Sequence, residues 1–160
     1  MASGDERAVV PAGLDGRGLR VVVVRANWNR EIVSRLADGV ARGLEALGVA
    51  DVVEVDVAGC LEIPLACQAV ATSGRADAII AIGAVIRGET THYELISEGA
   101  SQGVQRVQLD TGIPIAFGLL TVEDEGQALA RSEGGGGHNV GEEAALVVVQ
   151  LARVLDEWAT

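Results

Sequence analysis

Short runs of aliphatic residues alternate along the chain with longer segments in which apolar positions recur every three or four residues. The short runs are typical of buried parallel strands, and the longer segments are typical of helices that bury one face. The predicted strands are 19–25, 51–57, 77–82 and 115–121, and the predicted helices are 30–47, 64–73, 92–103, 123–131 and 141–158. The pattern also allows a short strand around 106–109.

This alternation predicts an α/β fold in which a four-stranded parallel sheet is covered by helices on both faces, as a three-layer αβα arrangement. A chain of 160 residues is long enough for one such domain with a sizeable core. Residues 1–18 are rich in glycine, aspartate and alanine, so they predict a flexible N-terminal arm. The domain itself is expected over 19–160.

Ligands of open parallel sheets bind at the carboxyl ends of the strands. Trp28 follows the first predicted strand, Cys60–Glu62 follows the second, Ala84–Thr90 follows the third, and Phe117 lies within the fourth. We therefore expect these four segments to converge on one edge of the sheet and to form a binding site there.

Composition narrows the class of protein. The chain is 49% hydrophobic but only 2% aromatic, so its core must be aliphatic. The apolar fraction is high for a small monomer, which indicates surface buried against other subunits. The net charge of -11 argues against a nucleic-acid partner, because binding phosphates needs basic patches.

Two cysteines, Cys60 and Cys67, have neither the spacing of a metal site nor the number of a disulfide framework. The simplest interpretation is a reduced, cytoplasmic protein. No signal peptide is visible, and the longest apolar run near the C-terminus is too short to span a bilayer. No glycine run fits a dinucleotide or phosphate-loop motif, so a nucleotide cofactor is unsupported.

The segment Gly83–Ile96 carries the strongest chemical signal. Thr91 and Glu94 have the spacing of a capping box, which predicts a helix that starts there with His92 in its first turn. Free amide groups at such a helix start attract anions, and their positive field disfavours a protonated imidazole. His92 could therefore transfer protons on a phosphorylated substrate. A capped surface histidine in an ordinary strand-turn-helix explains the pattern equally well.

The remaining candidates also have structural alternatives. Trp28 could stack on a flat heterocycle or simply cover the edge of the sheet. Glu62 could accept hydrogen bonds from substrate hydroxyls, or its charge could simply stabilise the start of a helix. Arg87 could bind phosphate, although a basic residue before a turn is more often structural. Arg131 could complement the dipole at the end of its helix. His138, in a glycine-rich loop, has no evident role.

Three segments resemble the lumazine synthase family in order and spacing: Gly59–Pro64, Gly83–His92 and Pro114–Thr121. The likeness extends over about 19–155. It implies condensation of 5-amino-6-(D-ribitylamino)uracil with 3,4-dihydroxy-2-butanone 4-phosphate to 6,7-dimethyl-8-ribityllumazine, phosphate and water. It implies no metal and no organic cofactor.

The resemblance also implies a role for each candidate residue. His92 would transfer the proton and Trp28 would stack on the pyrimidine. Cys60, Leu61 and Glu62 would hold the ribityl chain, and the backbone of Ala84, Val85 and Ile86 would line the ring. Glu89 and Thr90 would belong to the loop that receives the phosphate substrate, and Phe117 would close the pocket. Arg131 of a neighbouring subunit would bind the phosphate.

Family members form pentamers, and some pack twelve pentamers into a 60-subunit shell; the sequence does not choose between these. Three positions depart from the family pattern: Val140 stands where lysine is common, Gly126 where glutamate is common, and Glu89 where a small or amide residue is usual. We expect the Glu89 side chain to point away from the phosphate. A weakly active or inactive scaffold is the alternative function.

A flavodoxin-like module that binds a flavin is a further alternative. The strand-helix alternation is that of a flavodoxin-like fold, so the fold alone does not separate this alternative from a synthase. A flavin-binding module does not account for His92, for Arg131 or for the Val-Ile-Arg-Gly element at 85–88.

Overall fold

A parallel four-stranded sheet forms the centre of the computed structural model, which describes residues 9–159. The strand order is β2-β1-β3-β4, and the strands are β1 Arg20–Ala26, β2 Asp51–Val57, β3 Ala78–Ile86 and β4 Ile115–Val122. The helices are α1 Arg30–Ala46, α2 Ile63–Thr72, α3 His92–Thr111, α4 Glu125–Ala130 and α5 Val140–Trp158, with one 3₁₀ turn at Cys60–Glu62.

Each face of the sheet has its own apolar core, because successive strand residues point to opposite faces. On β1, Val21 and Val23 pack with α1 and α5, whereas Val22 and Val24 pack with α2 and α3. Both cores are built mainly from aliphatic side chains; the second also contains Cys60 and Cys67, with Tyr93 at its margin. The predicted three-layer αβα fold is confirmed, and its strand order is consistent with a flavodoxin-like sheet.

The strand order reverses between β1 and β3, since the chain proceeds from β1 to β2 on one side and returns to β3 on the other. Pairing of β1 with β3 ends at Arg25 and Ile82, while pairing of β3 with β4 continues to Ile86. The last four residues of β3 therefore extend past β1. Such a reversal point is where open α/β sheets bind ligands.

Helix α3 is longer than the sequence pattern predicts, and the predicted strand at 106–109 is wrong. Gly103 resembles a helix stop, but it is a packing contact: a Cβ there would lie 2.6 Å from Cγ of Pro64 on α2. Val104 and Val107 bury the next turn against the sheet, as helical spacing requires. The helix ends at Gly112, whose φ of 70° suits a residue without a side chain.

The end of the predicted N-terminal arm is fixed to the domain. Its residues 1–8 lie outside the described part of the chain. The N–H of Gly16 donates to the carbonyl of Leu47 at 2.7 Å, and Arg153 on α5 donates to the carbonyls of Asp15 and Arg17 at 2.7 and 2.8 Å. These hydrogen bonds hold residues 15–17, at the end of the predicted arm, against α1 and α5. None of the helices in 9–159 is long and apolar enough to cross a membrane.

Candidate active site

The loop after β1 presents Trp28 and connects to β3 through Asn29. The Trp28 side chain is 72% exposed. Asn29 precedes α1 in the left-handed conformation, with φ 57°, and its Nδ2 donates to the carbonyl of Ala84 at 2.9 Å. This bond begins where the β1–β3 ladder has ended, so the amide holds the two strand ends together across the gap.

Sequence reasoning missed Asn29. The available signal was weak: asparagine is enriched among the few non-glycine residues that adopt positive φ, and it stands between a strand and a helix. Without the fold, nothing indicated that its side chain would meet a carbonyl 55 residues along the chain.

Trp28 and Glu62 are brought together at Gly59. A Cβ on Gly59 would lie 2.9 Å from Oε2 of Glu62 and 3.1 Å from Cδ1 of Trp28. The indole and the carboxylate therefore both rest against a backbone that only glycine leaves open. The indole and the carboxylate therefore lie side by side at this strand end.

Cys60 and Leu61 continue the same 3₁₀ turn in different environments. The Cys60 side chain is buried against Gly83, where a Cβ would lie 2.7 Å from Sγ. Burial, reinforced by the nearby Glu62 carboxylate, raises the pKa of the Cys60 thiol to about 11, although the Ala84 N–H acts in the opposite direction. The thiol is therefore protonated near neutral pH and unsuited to nucleophilic attack. Leu61 is half exposed and lies against Gly99 of α3.

The end of β3 forms the floor of the site. Ala84 and Val85 are buried, and Ile86 packs against the core that α1 and α5 cover. Since β1 stops short of these residues, their backbone faces the gap that Trp28 and Asn29 border. The prediction that Ala84, Val85 and Ile86 act through backbone groups is compatible with this placement.

The loop between β3 and α3 presents unpaired backbone donors. Within residues 9–159, nothing accepts a hydrogen bond from the N–H groups of Gly88, Glu89, Thr90 or Thr91. All four residues are exposed. The N–H of His92 donates to Oγ1 of Thr90 at 3.3 Å. A cluster of free amide groups at the start of a 20-residue helix suits an anion.

The helix start at His92 is confirmed, but the capping box is wrong. Thr91 precedes the helix without a side-chain hydrogen bond to it. Glu94 instead pairs with Arg87, which also contacts Glu123 at 2.8 Å and lies 4.2 Å over the ring of Tyr93. The structure therefore gives Arg87 carboxylate partners in place of the phosphate that one interpretation assigned to it.

Phe117 does not reach this edge within one chain. It lies opposite Ala81, five positions before the last paired residue of β4, which is roughly 16 Å along the strand. Its side chain is 39% exposed on the face that carries α2 and α3. The expected convergence therefore holds for three strand-end segments and is wrong for Phe117, because a parallel register places residues by their position along the strand.

Arg131 and His92 belong to opposite faces of the sheet. It ends α4, where its Nη1 donates to the carbonyl of Gln127 at 3.1 Å. The next residue, Ser132, accepts from Nε of Arg35 on α1 at 3.0 Å through its carbonyl. Arg131 thus belongs to the face of the sheet covered by α1 and α5, whereas His92 starts a helix on the other face.

Comparison with known proteins matches the sequence of this chain to one family. The family model described as 6,7-dimethyl-8-ribityllumazine synthase matches residues 18–156. The chain is 47% identical over 143 residues to the 6,7-dimethyl-8-ribityllumazine synthase of Paraburkholderia phymatum, with 88% of this chain and 80% of the relative covered. For the protein of the same description from Azoarcus sp. strain BH72, the identity is 43% over 157 residues, with 97% of both chains covered. The chain belongs to the 6,7-dimethyl-8-ribityllumazine synthase family.

Two of the departures from the 6,7-dimethyl-8-ribityllumazine synthase pattern have a clear structural setting. Val140 is the first residue of α5 and packs against the core, so an apolar side chain is accommodated there. Gly126 lies in the first turn of α4, where the nearest atom to an added Cβ is Oδ1 of Asp124 at 3.2 Å. His138, unassigned from sequence, lies 3.0 Å from Glu143.

Proposed function

We propose that this chain catalyses the reaction of its family, the condensation of 5-amino-6-(D-ribitylamino)uracil with 3,4-dihydroxy-2-butanone 4-phosphate in riboflavin biosynthesis. The observation that carries the proposal is the close pairing of Trp28 and Glu62 over Gly59 at the strand-order reversal. The unpaired amide groups at 88–91 follow directly from the end of β3, which borders the same gap.

The pyrimidine substrate would occupy the gap between the ends of β1 and β3. Trp28 would stack on its ring, and the backbone of Ala84, Val85 and Ile86 would line the ring edge. Glu62 would accept from the ribityl hydroxyls, with Cys60 and Leu61 shaping the turn that presents it. An exposed carboxylate beside an exposed indole suits a ligand that is flat at one end and hydroxylated at the other.

The butanone phosphate would bind at the loop that carries Glu89 and Thr90, with its phosphate on the free amide groups. The amine of the first substrate condenses with the ketone with loss of water, phosphate is eliminated, and the ribitylamino nitrogen closes the ring with loss of a second water. His92, next to the phosphate loop, would transfer protons during these steps. Much of the rate would come from holding the two substrates side by side.

We also propose that the working enzyme is a homo-oligomer whose repeating unit is a pentamer, either alone or packed into a 60-subunit shell. Phe117 and Arg131 support this, because both are partly exposed, yet within one chain Phe117 lies well before the carboxyl edge and Arg131 lies on the opposite face of the sheet from His92. In a ring of subunits they would complete a neighbour's site. Large apolar side chains are also exposed on the helices, namely Leu65, Leu95, Leu109 and Trp158.

The alternative of a weakly active or inactive scaffold receives no support from the residues described. None of the features at 9–159 favours an inactive scaffold, since the site segments from β1, β2 and β3 are assembled. Cys60 and Cys67 are buried free thiols, which fits the cytoplasmic location proposed from the sequence.

One assay tests the function. Purified protein is mixed with both substrates, and lumazine absorbance is followed against the slow uncatalysed condensation. We expect a rate well above background, and a rate equal to background would refute the enzyme assignment. Replacing His92 with alanine should slow turnover while both substrates still bind. Light scattering of the same preparation measures the size of the assembly.

A further inference from the structure

We propose that Arg87 is a positioning residue for the phosphate loop at 88–91: it draws the Glu94 carboxylate away from the start of α3 and leaves the loop's amide groups free for a phosphate. This inference rests on the proposed function, since it concerns how the same site accepts its anionic substrate. It assigns Arg87 a role exerted through Glu94 and requires no direct contact with the phosphate.

Arg87 joins the three elements that surround the loop. Its own N–H donates to the carbonyl of Val122, the last residue of β4, at 2.9 Å. Its Nε contacts Oε2 of Glu123 at 2.8 Å, and its Nη1 contacts Oε1 of Glu94 on α3. The guanidinium also lies 4.2 Å from the centre of the Tyr93 ring, within the range of a cation–π contact. Two of the three guanidinium nitrogens, Nε and Nη1, are thus engaged by protein carboxylates.

Glu94 is the residue whose behaviour this arrangement changes. At the third position of a helix that follows a threonine, its ordinary role is to reach back and accept from the backbone N–H before the helix. In the structure its carboxylate binds the Arg87 guanidinium and its own N–H, and both contacts lower its pKa. The N–H of Thr91, which a capping box would occupy, remains free.

Freeing that carboxylate would oppose phosphate binding in two ways. An unrestrained Glu94 could cap the helix start and take up a donor that the phosphate needs. Its negative charge would also lie close to the phosphate, in a loop that already carries Glu89. Both effects would weaken binding of the phosphate anion. They would leave the pyrimidine half of the site unchanged, because Trp28 and Glu62 belong to other loops.

The contacts of Arg87 contribute little to folding. The side chains of Arg87, Glu94 and Glu123 are 36%, 43% and 57% exposed, and ion pairs at such exposure are weak in water. A network that adds little stability but keeps one carboxylate away from an anion site is better explained by binding than by folding.

The test uses the full-length protein and four variants: Arg87→Met, Arg87→Lys, the double variant Arg87→Met with Glu94→Gln, and Arg106→Met as control. Arg106 is also an arginine paired with an acid on α3, at 3.4 Å from Asp110, but it lies more than three turns from the loop. Steady-state kinetics with each substrate is combined with calorimetric titration of inorganic phosphate. Circular dichroism checks that each variant is folded.

We expect Arg87→Met to raise the KM for the butanone phosphate and the Kd for inorganic phosphate by roughly three- to tenfold, the range of a charge at a helix start. The KM for the pyrimidine should not change. Adding Glu94→Gln should restore both constants to near wild-type values, because the interfering charge is gone. Arg87→Lys should be intermediate, and Arg106→Met should match wild type.

Rescue by Glu94→Gln is the decisive outcome. If the double variant stays as weak as Arg87→Met, Arg87 binds the phosphate itself and the proposal is wrong. Equal increases in KM for both substrates, or wild-type protein that fails to bind phosphate, would also overturn it. If wild type binds phosphate but makes no lumazine, the proposed function fails while the titrations still decide the role of Arg87.

Discussion

Strands β1 and β3 lie side by side, and their two ends are built in opposite ways. At the amino end, Arg20 and Asp77 close the junction: Arg20 Nη2 lies 3.0 Å from Asp77 Oδ1, and each residue's N–H also bonds to the other residue. At the carboxyl end, the ladder stops at Ile82, and one bond from Asn29 to Ala84 crosses the gap.

Within this one strand pair, the amino end therefore contributes to stability and the carboxyl end to function. At the amino end, the polar groups of Arg20 and Asp77 are paired with each other. The carboxyl end leaves the edge of β3 unpaired and places Trp28 and Glu62 beside it. Substitutions at the carboxyl end should therefore act on activity, and substitutions at the amino end should act on the free energy of unfolding.

The largest effect is expected for Gly59→Ala. The new methyl group would displace Glu62 or Trp28, because it would lie 2.9 Å from the carboxylate and 3.1 Å from the indole. We expect kcat/KM for the pyrimidine substrate to fall by about tenfold or more, as a misplaced binding group would cause. Steady-state kinetics measures this.

Gly134→Ala is the matched control for that substitution. Gly134 has open space around it, so its added methyl group meets nothing within 4 Å. Its kinetics should equal wild type. A Gly59→Ala enzyme with unchanged pyrimidine kinetics would show that the Trp28–Glu62 pairing does not form the pyrimidine site.

The next effect is expected at Asn29, where two variants separate conformation from hydrogen bonding. Asn29→Gly keeps the left-handed backbone but loses the bond to Ala84, while Asn29→Ala loses the bond and adds strain of about 1 kcal/mol. Both should lower pyrimidine affinity by roughly threefold to tenfold, as loss of one hydrogen bond predicts, and the alanine variant should also be less stable.

Fluorescence gives an independent measurement of the Asn29 variants. Trp28 and Trp158 are the two tryptophans of the chain, so a Trp158→Phe background reports on Trp28 alone. The Trp28 emission should shift in both variants if Asn29 holds this loop in place. Unchanged emission together with unchanged affinity would show that the Asn29–Ala84 bond is dispensable for the site.

A smaller effect, on stability only, is expected for Asp77→Asn. The amide keeps an acceptor for the backbone of Arg20 but loses the charge of the ion pair. Because both side chains are partly exposed, we expect a loss of only about 0.5–1 kcal/mol in the free energy of unfolding by urea. Kinetics should be unchanged. Asp110→Asn, which removes the charge from the more exposed pair with Arg106, should lower the free energy of unfolding by even less.

The smallest effect is a pH dependence at the same position. Hydrogen bonds from the Arg20 side chain hold the pKa of the Asp77 carboxyl below its ordinary value, despite partial burial. Its stabilising contribution is therefore present above the unfolded pKa and is lost as pH falls through the lower folded value. The stability difference between wild type and Asp77→Asn should shrink below about pH 4, and a constant difference would contradict this assignment.

The helix starts show which capping patterns in the sequence form capping hydrogen bonds in the structure. The spacing Asp124-x-x-Gln127 forms a cap, with Oδ1 of Asp124 accepting from the N–H of Gln127 at 2.8 Å. Asn139 likewise accepts from the N–H of Glu142. Thr91-x-x-Glu94 has the same spacing and forms no cap, because the Glu94 carboxylate binds Arg87, which is itself held by Glu123 from 36 residues along the chain. Local spacing could not reveal that competitor.

The sequence by itself determined the αβα layers, the start of α3 at His92 and the strand ends that carry Trp28, Glu62 and Ala84. These follow from hydrophobic period and turn residues, which act between near neighbours along the chain. The lumazine synthase likeness came from the same local segments.

Only the tertiary structure decided the bond from Asn29 to Ala84, the pairing of Trp28 with Glu62 over Gly59, and the position of Phe117 well before the carboxyl edge. Each depends on strand register or on a backbone approach between residues far apart in the chain. Such contacts are set by how the layers pack, and the period of one segment carries no information about the packing of another.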